Sequence, residues 1–287
     1  MRFPIGQLPF EAFPEALREI PDAPERLFIR GEMPDKERIL LCVVGSRSAT
    51  AYGRRITHKL ISGLAQYPVA IVSGLAHGID TEAHKAAIDV GLPTIAVLPS
   101  SLDEASIYPA NNVILARTIL LKGGCLLSEN EAPFKAMLHS FAERNRVMAG
   151  MSKATLIIEA GERSGTLITA KMALEYNSDV LAVPHELERP TGVGVNRLIR
   201  EGALLVQNSA DVARALGFKL DDTPTQQTIP TDLTDAETAV LRILTEPLIH
   251  DEILEKSGTS ARNIHVALSS LLIRGLIIER LGKIERV

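Results

Sequence analysis

Between Ile39 and Gln207 the chain alternates short, almost continuously apolar runs with longer stretches of mixed polarity. The runs are ILLCVVG (39–45), VAIVSG (69–74), TIAVLP (94–99), GCLLSE (124–129), ATLIIEA (154–160), DVLAVP (179–184) and ALLVQ (203–207). Segments this short and this rich in Val, Ile and Leu read as strands buried on both faces. Helical segments fill the gaps, over 52–66, 80–90, 110–121, 134–150, 165–176 and 194–200, with one more short helix after the last run. The alternation predicts an α/β fold: a Rossmann-like, mostly parallel sheet covered by helices, over residues 39–217.

The flanks break this rhythm. Residues 1–38 mix prolines with charges and predict a short helical lead-in and an extended segment without a core of their own. At 218–231, FKLDDTPTQQTIPT loses all periodicity and reads as a linker. From 232 to 287 the pattern is helical again. LTDAETAVLRILTEP carries a capping box, Thr234 with Glu237, and two further helices follow around a Ser-Gly-Thr turn. LIIERLGKIERV then suits a hairpin, so the outline is a small winged-helix domain.

Composition narrows the class. A chain of 287 residues with 46% hydrophobic content supports one main core and a smaller one. Aromatics are scarce and Trp is absent, so the core is expected to be aliphatic. Cys42 and Cys125 both lie within apolar runs and read as reduced thiols; no disulfide, metal or cofactor is implied. The N-terminal MRFPIGQLPFEAFPEA lacks the apolar core of a secretory signal, and no run is long enough to span a bilayer, so the expected location is the cytoplasm. Net charge is −4, and residues 39–217 are near balance, with 17 Lys and Arg against 16 Asp and Glu. Any polyanion site must therefore be a local patch.

Three glycine-containing loops follow three of the predicted strands: GSRSATAYG (45–53), SGLAHGID (73–80) and AGERSGTLITA (160–170). At the carboxyl edge of a parallel sheet, such loops let backbone N–H groups and helix N-termini approach an anion. Gly45, Gly74 and Gly165 could alternatively do no more than make tight turns. Arg47 is the sharpest member, with a guanidinium shaped for phosphate; the competing role is an ion pair to Asp80. A second cluster, HSFAERNRVMAGMS (139–152), puts Arg144, Asn145 and Arg146 in succession, so on a helix they cannot all face one way. One arginine can face a groove while the other snorkels or pairs with Glu143. Phe141 beside Arg144 is an aromatic-plus-basic pairing that suits single-stranded nucleic acid.

These residues also carry a resemblance. VVGSRSATAYG, VSGLAHGIDTEAHKAA, IYPANNVIL, GCLLSE, SFAERNRVMAGMS, EAGERSGTLITAKMALE, VLAVP and GVNRLIREGA follow one another as in the DNA-processing protein A family, over roughly 39–206. The resemblance implies a bacterial protein whose extended Rossmann-like domain dimerises and binds single-stranded DNA. It also implies protection of incoming DNA in natural transformation and help in loading the RecA recombinase. The DNA-contacting positions it implies are Gly45, Ser46, Arg47, Ser73, Gly74, Gly78, Asn145, Arg146, Ser164 and Gly165. The chain departs from the family pattern at Ala142 (usually Pro), His77 (usually Arg) and His185 (usually Gly). The 38-residue lead-in is also shorter than the helical N-terminal domain of many members.

Two other readings compete. A nucleotide phosphoribohydrolase of related Rossmann architecture would use P-G-G-x-G-T-x-x-E, but here the Glu position is Thr169, which can serve neither as acid nor as base at neutral pH. A duplex-reading transcription factor would use the helix bearing Arg262, Asn263 and His265. Residues 232–287, however, carry 7 Lys and Arg against 9 Asp and Glu, too few cations for strong duplex neutralisation.

Overall fold

The computed structural model describes residues 3–219, 233–244, 247–274, 276–280 and 282–286. The chain falls into two compact units, Met1–Leu220 and Asp221–Val287.

The segment before Ile39 belongs to the first unit's sheet. It supplies β1 (Ile5–Leu8), the short helix α1 (Glu15–Glu19) and β2 (Leu27–Gly31). β2 pairs antiparallel with both β1 and the strand at 125–128. Phe13, Leu17, Ile20 and Leu27 are buried in the main core. Prolines and charges scatter these apolar anchors along the sequence, so they show no strand or helix period.

Every apolar run then becomes a strand: β3 (Ile39–Val44), β4 (Val69–Ser73), β5 (Thr94–Val97), β6 (Cys125–Ser128), β7 (Ala154–Ile157), β8 (Asp179–Ala182) and β9 (Leu204–Leu205). Between them lie α2 (Ala51–Ser62), α3 (Ile79–Asp89), α4 (Val113–Leu121), α5 (Leu138–Met151), α6 (Thr166–Glu175) and α7 (Val193–Arg200), with α8 (Ser209–Ala215) after the last. The 9-stranded sheet has the order β1-β2-β6-β5-β4-β3-β7-β8-β9, and all neighbours from β6 to β9 are parallel. Alternation along β3 shows how both faces are covered. Cys42 and Val44 join a core with residues of α1, α5, α6 and α7, whereas Leu41 and Val43 join one with residues of α2, α3 and α8. Both cysteines are buried and unpaired, and burial pushes each thiol up to about 12.

The second unit contains α9 (Asp235–Ile243), β10 (Leu248–Ile249), α10 (His250–Ser257), α11 (Ala261–Ile273), β11 (Ile277–Arg280) and β12 (Lys283–Arg286). Its sheet is antiparallel in the order β10-β12-β11, over a core that includes Val240, Ile253, Ile264, Leu271 and Ile284. The capping box forms: the Thr234 hydroxyl oxygen accepts from the Glu237 amide at 3.3 Å and the Glu237 carboxylate accepts from the Thr234 amide at 2.7 Å. Of the linker expected over 218–231, Phe218 packs on Tyr67 with ring centroids 4.8 Å apart, and the part from residue 220 on lies outside the described residues. Among the described residues no helix is long and apolar enough to cross a membrane.

Candidate functional site

The strand order sets where a ligand can sit. From β3 the chain winds outward through β4 and β5 to β6, then returns through α5 to the other side of β3 as β7. In an open parallel sheet this reversal leaves a crevice beyond the carboxyl ends of the two central strands. A cleft of about 510 Å³ opens there, walled by the loop after β3, by α5 and by the loop after β7.

Of the expected site residues, Gly45, Ser46, Arg47, Asn145, Ser164 and Gly165 line this cleft. The exposed Arg47 places its guanidinium carbon 4.9 Å from the centroid of the Phe141 ring, within cation–π range. It does not pair with Asp80; the described partner of that carboxylate is Arg144, at 3.9 Å. The turn is braced by Ser46, whose hydroxyl oxygen accepts from the Ser48 amide at 3.1 Å and whose carbonyl accepts from the Ile79 amide at 3.1 Å. Across the cleft the Ser164 hydroxyl oxygen accepts from the Thr166 amide at 3.2 Å, at the start of α6.

The other expected residues stand behind the lining. Ser73 is buried and donates to the Val43 carbonyl at 2.7 Å, tying β4 to β3. Gly78 has φ +77°, and a β-carbon there would strike the Ser46 carbonyl, so glycine is required for the two loops to meet. Gly74 makes room in the same way for Arg144. Arg146 points elsewhere: it pairs with Glu129 and Asp22 rather than lining the cleft, and neither arginine pairs with Glu143.

Of the two α5 arginines it is Arg144 that reaches the cleft, although the resemblance implies Arg146, and the cation over the Phe141 ring is Arg47 rather than Arg144. The Arg144 side chain is 5% exposed, it donates to the Val97 carbonyl at 3.2 Å, and its Nε has no hydrogen-bond partner. Arg144 therefore sets a buried positive charge into the cleft wall, matched by Asp80 beside it. Beneath it Asp80 accepts from the amides of Gly74 (3.1 Å) and Ala76 (3.4 Å). Burial pushes the Asp80 carboxyl up, while the charge of Arg144 and the two amides pull against that shift. Asn112 holds the loop after β4 by donating to the Leu75 carbonyl at 2.7 Å, where Leu75 itself has φ +56°.

The positions that differ from the family pattern fall apart in space. Ala142 sits within the first turns of α5 on the cleft wall, His77 is exposed in the loop after β4, and His185 lies beyond β8 against Tyr52. Thr169 also lines the cleft and is buried. Glu159, the carboxylate just before the loop after β7, is fully buried and accepts from the Thr50 amide at 3.0 Å and the Thr50 hydroxyl.

Fold and cleft together define an α/β protein with a crevice at its topological switch point that is lined by Arg47, Arg144 and Phe141. The chain belongs to the DNA recombination-mediator protein A family, whose pattern it matches over residues 9–217. It is 35% identical over 274 residues to protein Smf of Escherichia coli, covering 93% of this chain and 73% of that one. It is 37% identical over 217 residues to DNA processing protein DprA of Streptococcus pneumoniae, covering 76% of each. The X-ray structure of the Streptococcus pneumoniae DprA superposes with a TM-score of 0.69 at 36% identity, over 76% of this chain and 75% of that one. Helicobacter pylori DNA processing protein A, solved to describe its single-stranded DNA binding mode, superposes with a TM-score of 0.66 at 30% identity, over 75% of this chain and 96% of that one.

Proposed function

We propose that this chain binds single-stranded DNA in the switch-point cleft, works as a homodimer, protects incoming DNA during natural transformation and helps to load the RecA recombinase. The observation that carries the DNA reading is the exposed Arg47 over the Phe141 ring, with Arg144 in the wall of the same cleft. Two guanidinium groups supply phosphate contacts and the ring supplies a stacking surface, a combination that grips a single strand without reading its sequence. Gly45, Ser46, Asn145, Ser164 and Gly165 contribute short polar groups and backbone along the same path. Ser73, Gly74 and Gly78 act by shaping the loops, and Arg146 by anchoring α5. The recombinase reading rests on the family, which is one of recombination mediators.

Hydrolysis fits the cleft poorly. Glycosidic cleavage needs two carboxylates flanking the bond, and among the lining residues only Asp80 carries one, held by two amides and Arg144. The homodimer reading is supported by β9 at the sheet edge, where Leu204 and Leu205 are 49% and 44% exposed while Leu198 and Val206 are buried. The helical unit after the linker takes an accessory role; Arg262, Asn263 and His265 are exposed on α11, but His265 stacks on His250 at 4.5 Å. Titrating the protein with labelled oligo-dT and with the matching duplex at two salt concentrations tests the central claim. Tighter, salt-sensitive binding of the single strand is expected, and equal or absent binding of both would overturn it.

A further inference from the structure

A second cavity, of about 490 Å³, opens at the same edge of the sheet, between the first turn of α2 and the loop after β8. Thr50, Tyr52 and Arg55 form one wall; His185, Arg189 and Thr191 form the other. The arrangement is held in place. The Tyr52 hydroxyl donates to the Pro184 carbonyl at 3.1 Å, and its ring meets that of His185 edge to face with centroids 5.0 Å apart. His185 is fixed in turn. Its Nε2 donates to the Ile158 carbonyl at 2.8 Å, and its backbone N–H and C=O are both bound by the Asn196 side-chain amide at 3.0 Å. The Tyr52 ring, packed on the core beneath it and held at its hydroxyl, thus borders the cavity in a fixed orientation.

Charge points the same way. Arg55 lies 5.8 Å from the Tyr52 ring centroid, is exposed, and has no ion pair among the described residues. Arg189 and Glu186 also line the cavity and offset one another in an ion pair at 2.8 Å, which leaves Arg55 as its uncompensated charge. One loop also joins the two cavities, because Gly45–Ser48 line the first and Thr50–Tyr52 the second.

We propose that the Tyr52 cavity is a second nucleotide subsite, in which a base of the strand held in the switch-point cleft packs on Tyr52 while Arg55 takes an adjoining phosphate. The proposal rests on the reading of the first cleft as a single-strand site.

The test is photo-crosslinking of the full chain to oligo-dT of about 12 nucleotides, within the usual span of a single-strand site, with 5-iodouracil placed at one position at a time. Mapping of the linked peptides by mass spectrometry gives the contacts. We expect one set of positions to link to Phe141 and another, displaced along the strand, to link to Tyr52. Arg55→Ala, a surface change that leaves the core intact, should weaken binding of the long oligonucleotide about fivefold and abolish the Tyr52 link while sparing the Phe141 link. Links at Phe141 without any at Tyr52 would overturn the second subsite and leave the first standing. Links at neither ring would overturn both. Links at Tyr52 that survive Arg55→Ala at unchanged affinity would remove Arg55 from the subsite and with it the proposal as stated.

Discussion

Arg144 and Gly74 compete for the same space: the guanidinium Nη1 lies where a β-carbon on residue 74 would stand. The glycine is thus a steric partner of the arginine and only incidentally a turn residue. Gly74→Ala is expected to drive Arg144 off its seat while leaving the sheet intact. Loss of one charge-assisted contact amounts to about 1.5–3 kcal/mol, so oligo-dT affinity should fall by roughly ten- to a hundredfold. Fluorescence anisotropy together with circular dichroism checks both halves; full affinity in a folded variant would take Arg144 out of the site.

Arg47→Ala removes the exposed cation over Phe141. One phosphate contact fewer should flatten the slope of log K against log salt by about 0.7 for a single strand. Affinity measured at four or five salt concentrations gives the slope directly, and an unchanged slope would rule Arg47 out as a phosphate ligand.

Shortening the chain separates the two units. Because Phe218 packs on Tyr67, the cut belongs after Lys219 rather than before Phe218. The resulting 1–219 chain should keep most of its oligo-dT affinity. If binding vanished from a folded 1–219 chain of unchanged oligomeric state, the primary DNA site would have to lie beyond residue 219.

Much of this fold is legible in the sequence, and the reason is physical. A strand buried on both faces has to be written as a continuous apolar run, and all the runs from ILLCVVG to ALLVQ are strands. The β1–β2 pair was not legible because it forms one flank of the sheet and its anchors, Leu17 and Leu27 among them, are spaced by prolines and charges. The choice between Arg144 and Arg146 depends on how α5 is rotated. A signal was present: Arg144 lies three and four residues before Val147 and Met148, both buried, which puts it on the inward face of the helix. The packing of Arg144 over Gly74 joins residues far apart in the chain, and no local pattern carries it.

Self-association should depend on β9. Leu205→Glu puts a charge on an exposed strand edge without touching the core, and burying it unpaired would weaken a dimer by about tenfold or more. Sedimentation across micromolar concentrations reads the mass. A parent chain that stays monomeric throughout, with affinity independent of oligonucleotide length, would sink both the dimer and any bridging of two sites.

Stability should fall on mild acidification because of His84. Its Nδ1 donates to the Thr94 hydroxyl at 2.7 Å, its Nε2 has no partner, and burial foremost, with the charge of Arg144, pulls the imidazole down to about 3. Between that value and the ordinary histidine value near 6.5, the unfolded chain binds the proton and the folded chain does not. The contribution of His84 is therefore fully present above about pH 6.5 and is lost as pH falls, by about 2 kcal/mol between pH 7 and pH 5. Urea midpoints at the two pH values measure it, and His84→Gln should flatten the difference even if it lowers stability overall. An equally steep pH dependence in that variant would assign the effect to other groups.

The sealed thiols have a practical consequence. Cys42 and Cys125 are at or near complete burial with their thiols held protonated, and the chain contains no Trp. Towards maleimides and in the indole fluorescence band, the native protein is therefore blank. A single reporter is then unambiguous: Phe141→Trp would place the sole indole beneath the Arg47 guanidinium, and Ser48→Cys would offer the sole reactive sulfur at the lip of the cleft. Occupancy of the crevice can then be followed in real time, with every photon or label traceable to one known position.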